Sequence, residues 1–248
     1  MSMNNKLEVL YKKYWNNFIE KGKLLNIKNE LEEKEQLVNP LLLKIDENKY
    51  CNADIKVMIY GQETWGWHRL GTSVEDEMNH YLRFFIDDEV WKSKKKSSFW
   101  KAFKFFQYEL NQYYSDKKIV YIWNNISKVG RKKGKGVTAD IRELERNTFS
   151  IILEEIKILN PDIVIFLTGN RNDDIKFNFK DVKFENIRID SSLKSKNGKI
   201  KYKPVAKVTS EFLPKKSIRL YHPSFFGGYN NVKGDAIKII CDDNKTEL

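Results

Sequence analysis

The chain has 248 residues, of which 45 are lysine or arginine and 34 are aspartate or glutamate, so its formal net charge is +11. This size suits one large globular domain, and we expect a single domain over residues 1–248. The positive charge favours polyanionic partners, although a solvated basic surface without a partner explains it equally well. No apolar stretch approaches the roughly 20 residues that span a bilayer, which excludes a transmembrane helix.

Cysteine and histidine are scarce and scattered along the chain: they are Cys51, Cys241, His68, His80 and His222. Neither a C-x2-C nor an H-E-x-x-H spacing occurs, so we expect no structural metal and no cofactor. The chain opens with a helical pattern and not with a charged-then-apolar leader. Together these features predict a reduced, cytoplasmic protein.

The predicted elements begin with a helix at about 4–22. Four short apolar runs then have the length and β-branched content of buried strands, and they lie at 55–60, 119–123, 162–167 and 217–221. Helical periodicity occupies 97–114 and 140–159, and Pro161 ends the second of these helices. The alternation predicts an α/β fold, a three-layer α/β/α sandwich around a mostly parallel four-stranded sheet.

The segment 171–215 differs from the rest of the chain, because it is polar and alternates only in places. An Asn-Gly pair at 197–198 suits a hairpin turn. We interpret this segment as an insertion with short antiparallel strands that precedes the last core strand.

Polar and aromatic side chains follow each predicted strand. The segments are "GQETWGW" at 61–67, "NNISKVGRKKGKG" at 124–136, "TGNRND" at 168–173 and "HPSFFGG" at 222–228. Ligands of open α/β sheets bind at the carboxyl ends of the strands. We therefore expect one cleft for a flat, hydrogen-bonding ligand to collect four side chains: Gln62, Glu63, Asn124 and His222.

Three segments, "GQETWGW", "YIWNNISKVG" and "YHPSFFGG", resemble the motifs of the uracil-DNA glycosylase superfamily in their order and strand context. That family has a Gly-Gln-Asp/Glu-x-Tyr-type segment after its first strand, an Asn at the end of its second and His-Pro-Ser after its last. The resemblance implies a uracil-DNA glycosylase-like fold. It also implies a monofunctional DNA glycosylase that flips out a uracil-like or modified pyrimidine and hydrolyses its N-glycosidic bond with water.

Carried over residue by residue, the resemblance implies two catalytic groups. Glu63 stands in the place of the acid that positions the attacking water, where the best-known branch has Asp. His222 stands in the place of the residue that donates a hydrogen bond to the departing base. Such a pair suits the reaction, because bond cleavage builds positive charge on the sugar and negative charge on the base. No lysine is clearly placed to form a Schiff base, so we do not expect strand cleavage.

The resemblance also implies groups that hold the base and the DNA. Asn124 corresponds to the amide that reads the Watson–Crick edge of the flipped base, and Trp65 replaces a Tyr beside C5, with Gln62 next to them in the base-binding set. Phosphate grips and a wedge that enters the duplex complete the DNA-binding set. The resemblance supplies Ser98 and, as the wedge, Phe226; apart from it, Lys132 and Lys133 join the set because they follow a predicted strand end, and Ser224 because its hydroxyl suits phosphate. We expect a monomer that binds single- or double-stranded DNA.

Each of these residues also has a purely structural explanation. Glu63 is a suitable acid for the first turn of a helix, Asn124 a suitable turn residue and His222 a suitable buried histidine. Aromatic rings such as Trp65 and Phe226 mostly belong to cores. The alternative function is therefore a non-catalytic module of the same fold that binds nucleic acid or protein. A doubly wound nucleotide-binding protein has less support, because neither G-x-G-x-x-G nor a Walker-type motif is present.

Overall fold

A computed structural model describes residues 1–28, 36–87, 89–93, 97–134, 136–169, 171–187, 205–224 and 229–242. These residues form an α/β structure. Its strands are β1 (Ile55–Gly61), β2 (Ile119–Asn125), β3 (Ile163–Phe166), β4 (Lys183–Asn186), β5 (Val205–Thr209) and β6 (Lys216–Leu220). Its α-helices are α1 (Met3–Lys28), α2 (Glu47–Cys51), α3 (Val74–Tyr81), α4 (Glu89–Ser93), α5 (Ser98–Tyr113), α6 (Ala139–Thr148), α7 (Ile152–Leu159), α8 (Asn172–Asn178) and α9 (Tyr229–Cys241). A π-helical turn, Leu82–Ile86, directly follows α3. Within this part of the chain, no helix has both the length and the hydrophobicity needed to cross a bilayer.

The chain divides into two compact units. The first unit comprises Met1–Cys51, Gln62–Ser93 and Asn124–Leu159. The second comprises Asn52–Gly61, Lys94–Trp123 and Asn160–Leu248. Each unit is thus assembled from separated parts of the sequence, and the chain passes from the second unit to the first within β2. The expectation of one domain over the whole chain stays a prediction.

The second unit contains the sheet apart from the last two residues of β2, and the strand order is β2-β1-β3-β6-β5-β4. Both β1 and β6 pair with β3 in parallel, whereas β5 pairs antiparallel with β6 and with β4. The four predicted strands correspond to β1, β2, β3 and β6. The prediction of a mostly parallel four-stranded sheet is therefore only partly matched, because the described sheet is mixed and has six strands.

The two additional strands, β4 and β5, come from the polar segment at 171–215. We expected an insertion with short antiparallel strands before the last core strand. β4 and β5 are antiparallel strands, and β5 joins the main sheet, with Val205 opposite Leu220 of β6. The buried Val205, Ala206 and Val208 give β5 its apolar contacts. β4 is short and mostly exposed, so its sequence lacks the apolar pattern of a core strand. The predicted turn at 197–198 lies outside the described residues.

β3 shows why the parallel strands have continuous apolar sequences. All four of its residues, Ile163–Phe166, are buried. The register places Ile165 between Ile59 of β1 and Ile218 of β6. Strands of a parallel sheet are typically covered on both faces, so neither face selects polar residues. The run of apolar residues was therefore a sound signal for the position of the strand.

The first unit is organised around α1, which contacts α3, α6 and α7. This helix extends from Met3 to Lys28, so it is longer than the predicted helix at about 4–22. Leu7, Tyr11 and Phe18 have no solvent exposure. Their spacing of four and seven residues places them on one face of the helix, which explains why this face enters the core.

The predicted helix at 140–159 is wrong in its continuity, because α6 and α7 replace it. Phe149 lies between them with an extended φ of −143°. Its ring is buried and packs on Phe18 at 5.1 Å and on Trp15 at 6.1 Å between ring centroids. The break in the helix thus accompanies the contact of a core aromatic ring with α1.

Loop segments of the first unit are joined by backbone hydrogen bonds near Gly130. The Val38 N–H donates to the Gly130 carbonyl at 3.2 Å, and the Gly66 N–H donates to the Arg131 carbonyl at 3.2 Å. A Cβ atom on Gly130 would lie 2.0 Å from the Thr64 carbonyl oxygen. The close approach of these two backbones therefore requires glycine.

Gly130→Ala is expected to lower the free energy of unfolding by about 1–3 kcal/mol or more, because the Thr64 backbone blocks the new methyl group. Gly234→Ala in α9 is the matched control, since no described atom lies within 4 Å of a Cβ added there. Alanine at 234 should be neutral or stabilise by up to about 1 kcal/mol. Urea denaturation measures both effects, and equal stability of the two variants would contradict the close approach.

Candidate functional site

The segment that follows β1 lies against the segment that follows β2, and both belong to the first unit. The Ser127 N–H donates to the Gln62 carbonyl at 2.9 Å. Trp65 forms a parallel backbone bridge with Arg131. Two of the four predicted strand-end segments therefore meet. Gln62 itself is half-buried.

Glu63, the predicted catalytic acid, is half-buried and held by the lysine-rich loop after β2. Its Oε1 accepts a hydrogen bond from the Gly136 N–H at 2.8 Å. Gly136 has a φ of +74°, a left-handed conformation that favours glycine. Its carbonyl accepts from the Arg131 Nε at 2.9 Å. These bonds orient the carboxylate and close the loop around it.

The two tryptophans of the opening motif have different surroundings. Trp65, the predicted wall beside the base, is 69 % exposed. Trp67 is half-buried, and its ring packs 4.3 Å from that of His80 and 5.4 Å from that of Phe84. Trp65 is therefore the ring that faces solvent, whereas neighbouring rings hold Trp67 in place.

Asn124, the predicted base-reading amide, is completely buried in a polar network. Its Nδ2 donates to Glu155 Oε2 at 3.0 Å, and its Oδ1 accepts from the Lys128 ammonium at 2.7 Å. Lys128 Nζ contacts both Glu155 oxygens at 2.9 and 3.0 Å, and the Tyr11 hydroxyl donates to Glu155 Oε1 at 2.7 Å. We call these four residues the Lys128 network. The role of Asn124 in reading a base stays a prediction.

Lys128 and Glu155 are a fully buried ion pair, since neither side chain is exposed. Burial lowers the pKa of the Lys128 ammonium, and the Glu155 carboxylate opposes this effect by favouring the charged form. Burial and the same carboxylate raise the pKa of Tyr11, which keeps its hydroxyl a neutral donor. A buried charge that loses its partner is strongly destabilising, so this network constrains the structure around Asn124.

His222, the other predicted catalytic residue, belongs to the second unit and is half-buried. Its Nδ1 lies 2.7 Å from the Ser224 Oγ, and the Ser224 N–H donates to Nδ1 at 3.3 Å. A backbone N–H cannot accept, so Nδ1 serves as the acceptor. The neutral imidazole must then carry its proton on Nε2, which makes Nε2 a donor.

The remaining predicted DNA-binding residues lie at the surface where they are described. Ser98 is the exposed first residue of α5. Lys132 and Lys133 are exposed in the loop after β2, and Ser224 is exposed beside His222. Phe226, the predicted wedge, lies outside the described residues.

The first unit also contains a histidine cluster that the sequence analysis missed. His68 Nδ1 lies 2.8 Å from Oε1 of the buried Glu77. The same oxygen accepts from Asn39 at 2.8 Å and from the Thr72 hydroxyl at 2.5 Å. The His80 ring stacks on the His68 ring at 3.5 Å between centroids. The spacing of Glu77 and His80 on one helical face was the available signal, but their contact with His68 and Asn39 depends on tertiary structure.

The cluster is not arranged as a metal centre: among the residues described, no group of three or more His, Cys, Asp or Glu side chains is placed to hold a metal ion. Burial lowers the pKa of His80 to about 4, and His68 and Arg83 add like-charge repulsion. His80 is therefore neutral at physiological pH and packs as an aromatic ring.

Comparisons of the chain with protein-family models, curated proteins and solved structures find no match in any of the three.

Glu155→Gln is expected to lower the free energy of unfolding by about 3–5 kcal/mol, because it leaves the Lys128 charge buried without its counter-charge. Glu154→Gln is the matched control. Glu154 is the preceding residue and pairs with Lys157 at the surface, so its loss should cost less than about 1 kcal/mol. Chemical denaturation followed by circular dichroism measures both. Comparable losses of unfolding free energy in the two variants would show that the buried ion pair contributes no more to stability than the surface pair.

Stability is expected to decrease as the pH falls from 6.5 towards about 4, because unfolded His80 gains a proton in this range while folded His80 resists it. His80→Gln should flatten this part of the profile of urea midpoint against pH. An unaltered slope in His80→Gln would mean that His80 does not titrate as its burial predicts.

Proposed function

We propose that the protein is a monofunctional DNA glycosylase that removes a uracil-like or modified pyrimidine. One observation carries the proposal: a carboxylate and an imidazole, each oriented by protein hydrogen bonds, follow the ends of two strands that run parallel to β3. Glu63 is the second residue after β1, and His222 is the second residue after β6. We extend the proposal to the fold, a three-layer α/β/α arrangement of the uracil-DNA glycosylase type, and to action on DNA in the cytoplasm.

Glu63 would act on the sugar side of the bond. Breaking the C1′–N bond leaves positive charge on the sugar, which a nearby carboxylate stabilises. The water that adds to C1′ gives one proton to the carboxylate as the new C–O bond forms. The hydrogen bond from the Gly136 N–H fixes the orientation of the Glu63 carboxylate, so the side chain does not have to be ordered when the substrate binds.

His222 would act on the base side of the bond. The electron pair of the broken C1′–N bond leaves with the base, and its negative charge spreads to the carbonyl oxygens of the pyrimidine. A neutral imidazole with its proton on Nε2 can donate a hydrogen bond to such an oxygen. The contacts of Ser224 with Nδ1 favour this tautomer. Protonation from solvent then completes the free base.

DNA binding would use the exposed cations of the loop after β2. Lys132 and Lys133 are both exposed, which suits contact with a phosphate backbone. Ser98, at the start of α5, and Ser224 would add hydrogen bonds to phosphate. Trp65 is exposed and offers a ring face on which a base can stack.

A second candidate function is a non-catalytic nucleic-acid-binding module, and the burial of Asn124 favours it. Asn124 has no solvent exposure, and its amide is bonded to Lys128 and Glu155. To read a base, Asn124 would have to exchange one of these bonds for a bond to the base. A binding module does not require that exchange.

The test is incubation with single- and double-stranded oligonucleotides that carry uracil or 5-modified pyrimidines, followed by alkaline cleavage at abasic sites. We expect product from at least one base. Glu63→Gln and His222→Ala should each lower the rate about a hundredfold or more, because each removes a group that acts on developing charge. Glu75→Gln, an exposed acid on α3, is the control and should retain full activity.

Two results would contradict the proposal. One is the absence of abasic product with every substrate while DNA binding persists in Glu63→Gln and His222→Ala, which is the behaviour of the binding module. The other is product that forms at equal rates in the parent protein and in both variants, since this would point to other catalytic groups or to a contaminant.

A further inference from the structure

A cavity of about 640 Å³ lies in the first unit, beside the backbone bonds near Gly130. Its volume is within the range of small-molecule sites. The functional proposal uses only Lys132 of its lining, and Glu63 is not part of it. The polar and aromatic groups that matter here are Lys23, Asn26, Gln36, Trp67, Arg69 and Lys132.

Backbone hydrogen bonds form the frame of this cavity. The Lys132 N–H donates to the Gln36 carbonyl at 2.9 Å. Val38 bridges to Arg69, and Leu37 bridges to Arg131, both in antiparallel fashion. Three separate segments are thus tied together by main-chain bonds. A cavity with such a frame is formed before a ligand arrives, which lowers the entropy cost of binding.

The described lining of the cavity favours an anion. It includes three cationic side chains, Lys23, Arg69 and Lys132, and its described residues include no carboxylate. Asn26 adds an amide donor, Nδ2, and the bond from the Leu37 N–H to its Oδ1 at 3.1 Å orients this amide. A phosphate group, with several acceptor oxygens and negative charge, matches this set of donors.

The rest of the lining favours a flat ring attached to that anion. Trp67 provides an indole, and Leu37, Val38 and Leu70 provide apolar surface. Contacts with His80 at 4.3 Å and Phe84 at 5.4 Å hold the Trp67 ring in one orientation. A fixed indole stacks on a nucleobase with little loss of side-chain entropy.

We propose that this cavity is a binding site for a nucleoside monophosphate, with the phosphate against Lys23, Arg69 and Lys132 and the base against Trp67. The ligand is either a free nucleotide or one nucleotide of a DNA strand, because both present the same phosphate and ring. Neither Glu63 nor His222 is among the lining residues, so the proposal does not depend on the proposed glycosylase activity.

Calorimetric titration of the full chain tests the site. The probes are deoxyuridine monophosphate, adenosine monophosphate, inorganic phosphate and a short single-stranded oligonucleotide without uracil. Lys23→Gln and Arg69→Gln should each weaken nucleotide binding about fivefold, since each removes one exposed charge. Lys21→Gln, an exposed lysine on the same helix that does not line the cavity, should leave binding unchanged. Trp67→Phe should weaken the binding of nucleotides more than the binding of inorganic phosphate.

The outcomes separate the two sources of the ligand. If a free nucleotide binds tightly, and Lys23→Gln and Arg69→Gln weaken its binding, the site is supported and its ligand is a free nucleotide. The same sensitivity with the oligonucleotide alone supports the site and identifies a DNA strand.

Two other outcomes overturn the proposal. Affinities that neither variant changes would show that the cavity does not bind these ligands. Equal affinities for inorganic phosphate and nucleotides, with no effect of Trp67→Phe, would show that the cavity does not recognise the nucleoside part of the ligand. If the protein has no glycosylase activity but binds nucleotides in a way that Lys23→Gln and Arg69→Gln weaken, the binding site is supported and only the catalytic proposal is rejected.

Discussion

The buried ion pair between Lys128 and Glu155 is the interaction on which the first unit depends. Neither side chain reaches solvent, so protein groups must satisfy both charges. Tyr11 comes from α1, Asn124 from the end of β2, and Glu155 from α7. The Lys128 N–H also donates to Glu145 of α6 at 2.6 Å. Because the ion pair and the Lys128 backbone N–H bond to groups from α1, β2, α6 and α7, the segment after β2 has a defined position, and the loop that holds Glu63 continues from it.

The parts of the fold that could be predicted from sequence are those with a strong local signal. β1, β3 and β6 were predictable because a strand buried on both faces is a continuous apolar run, and the β3 sequence is of this kind. β4 gave no such signal, because exposed residues at the edge of a sheet need not be apolar. The break at Phe149 was also hidden, since the sequence on both sides is helical and only the contact with Phe18 and Trp15 accounts for it.

The candidate site was predictable in its residue types and not in its contacts. The rule that ligands bind at strand ends drew attention to Glu63 and to the segment around Trp67, and their binding of a ligand stays a prediction. It gave no indication that Asn124 is bonded to Glu155, a residue 31 positions later in the sequence. The contact of His68 with Glu77 and the stacking of His80 on His68 were likewise hidden, because they arise from a loop folded against α3.

Among the described residues β4 is the outermost strand of the sheet, and this affects how the molecules behave at high concentration. It spans only Lys183–Asn186, and Lys183 and Glu185 are both exposed. An edge strand exposes unpaired amide and carbonyl groups that can recruit a neighbouring polypeptide, and charged side chains together with short length oppose this. The β4 border of the sheet is therefore a poor template for fibril growth, so crowding should not drive aggregation from this side.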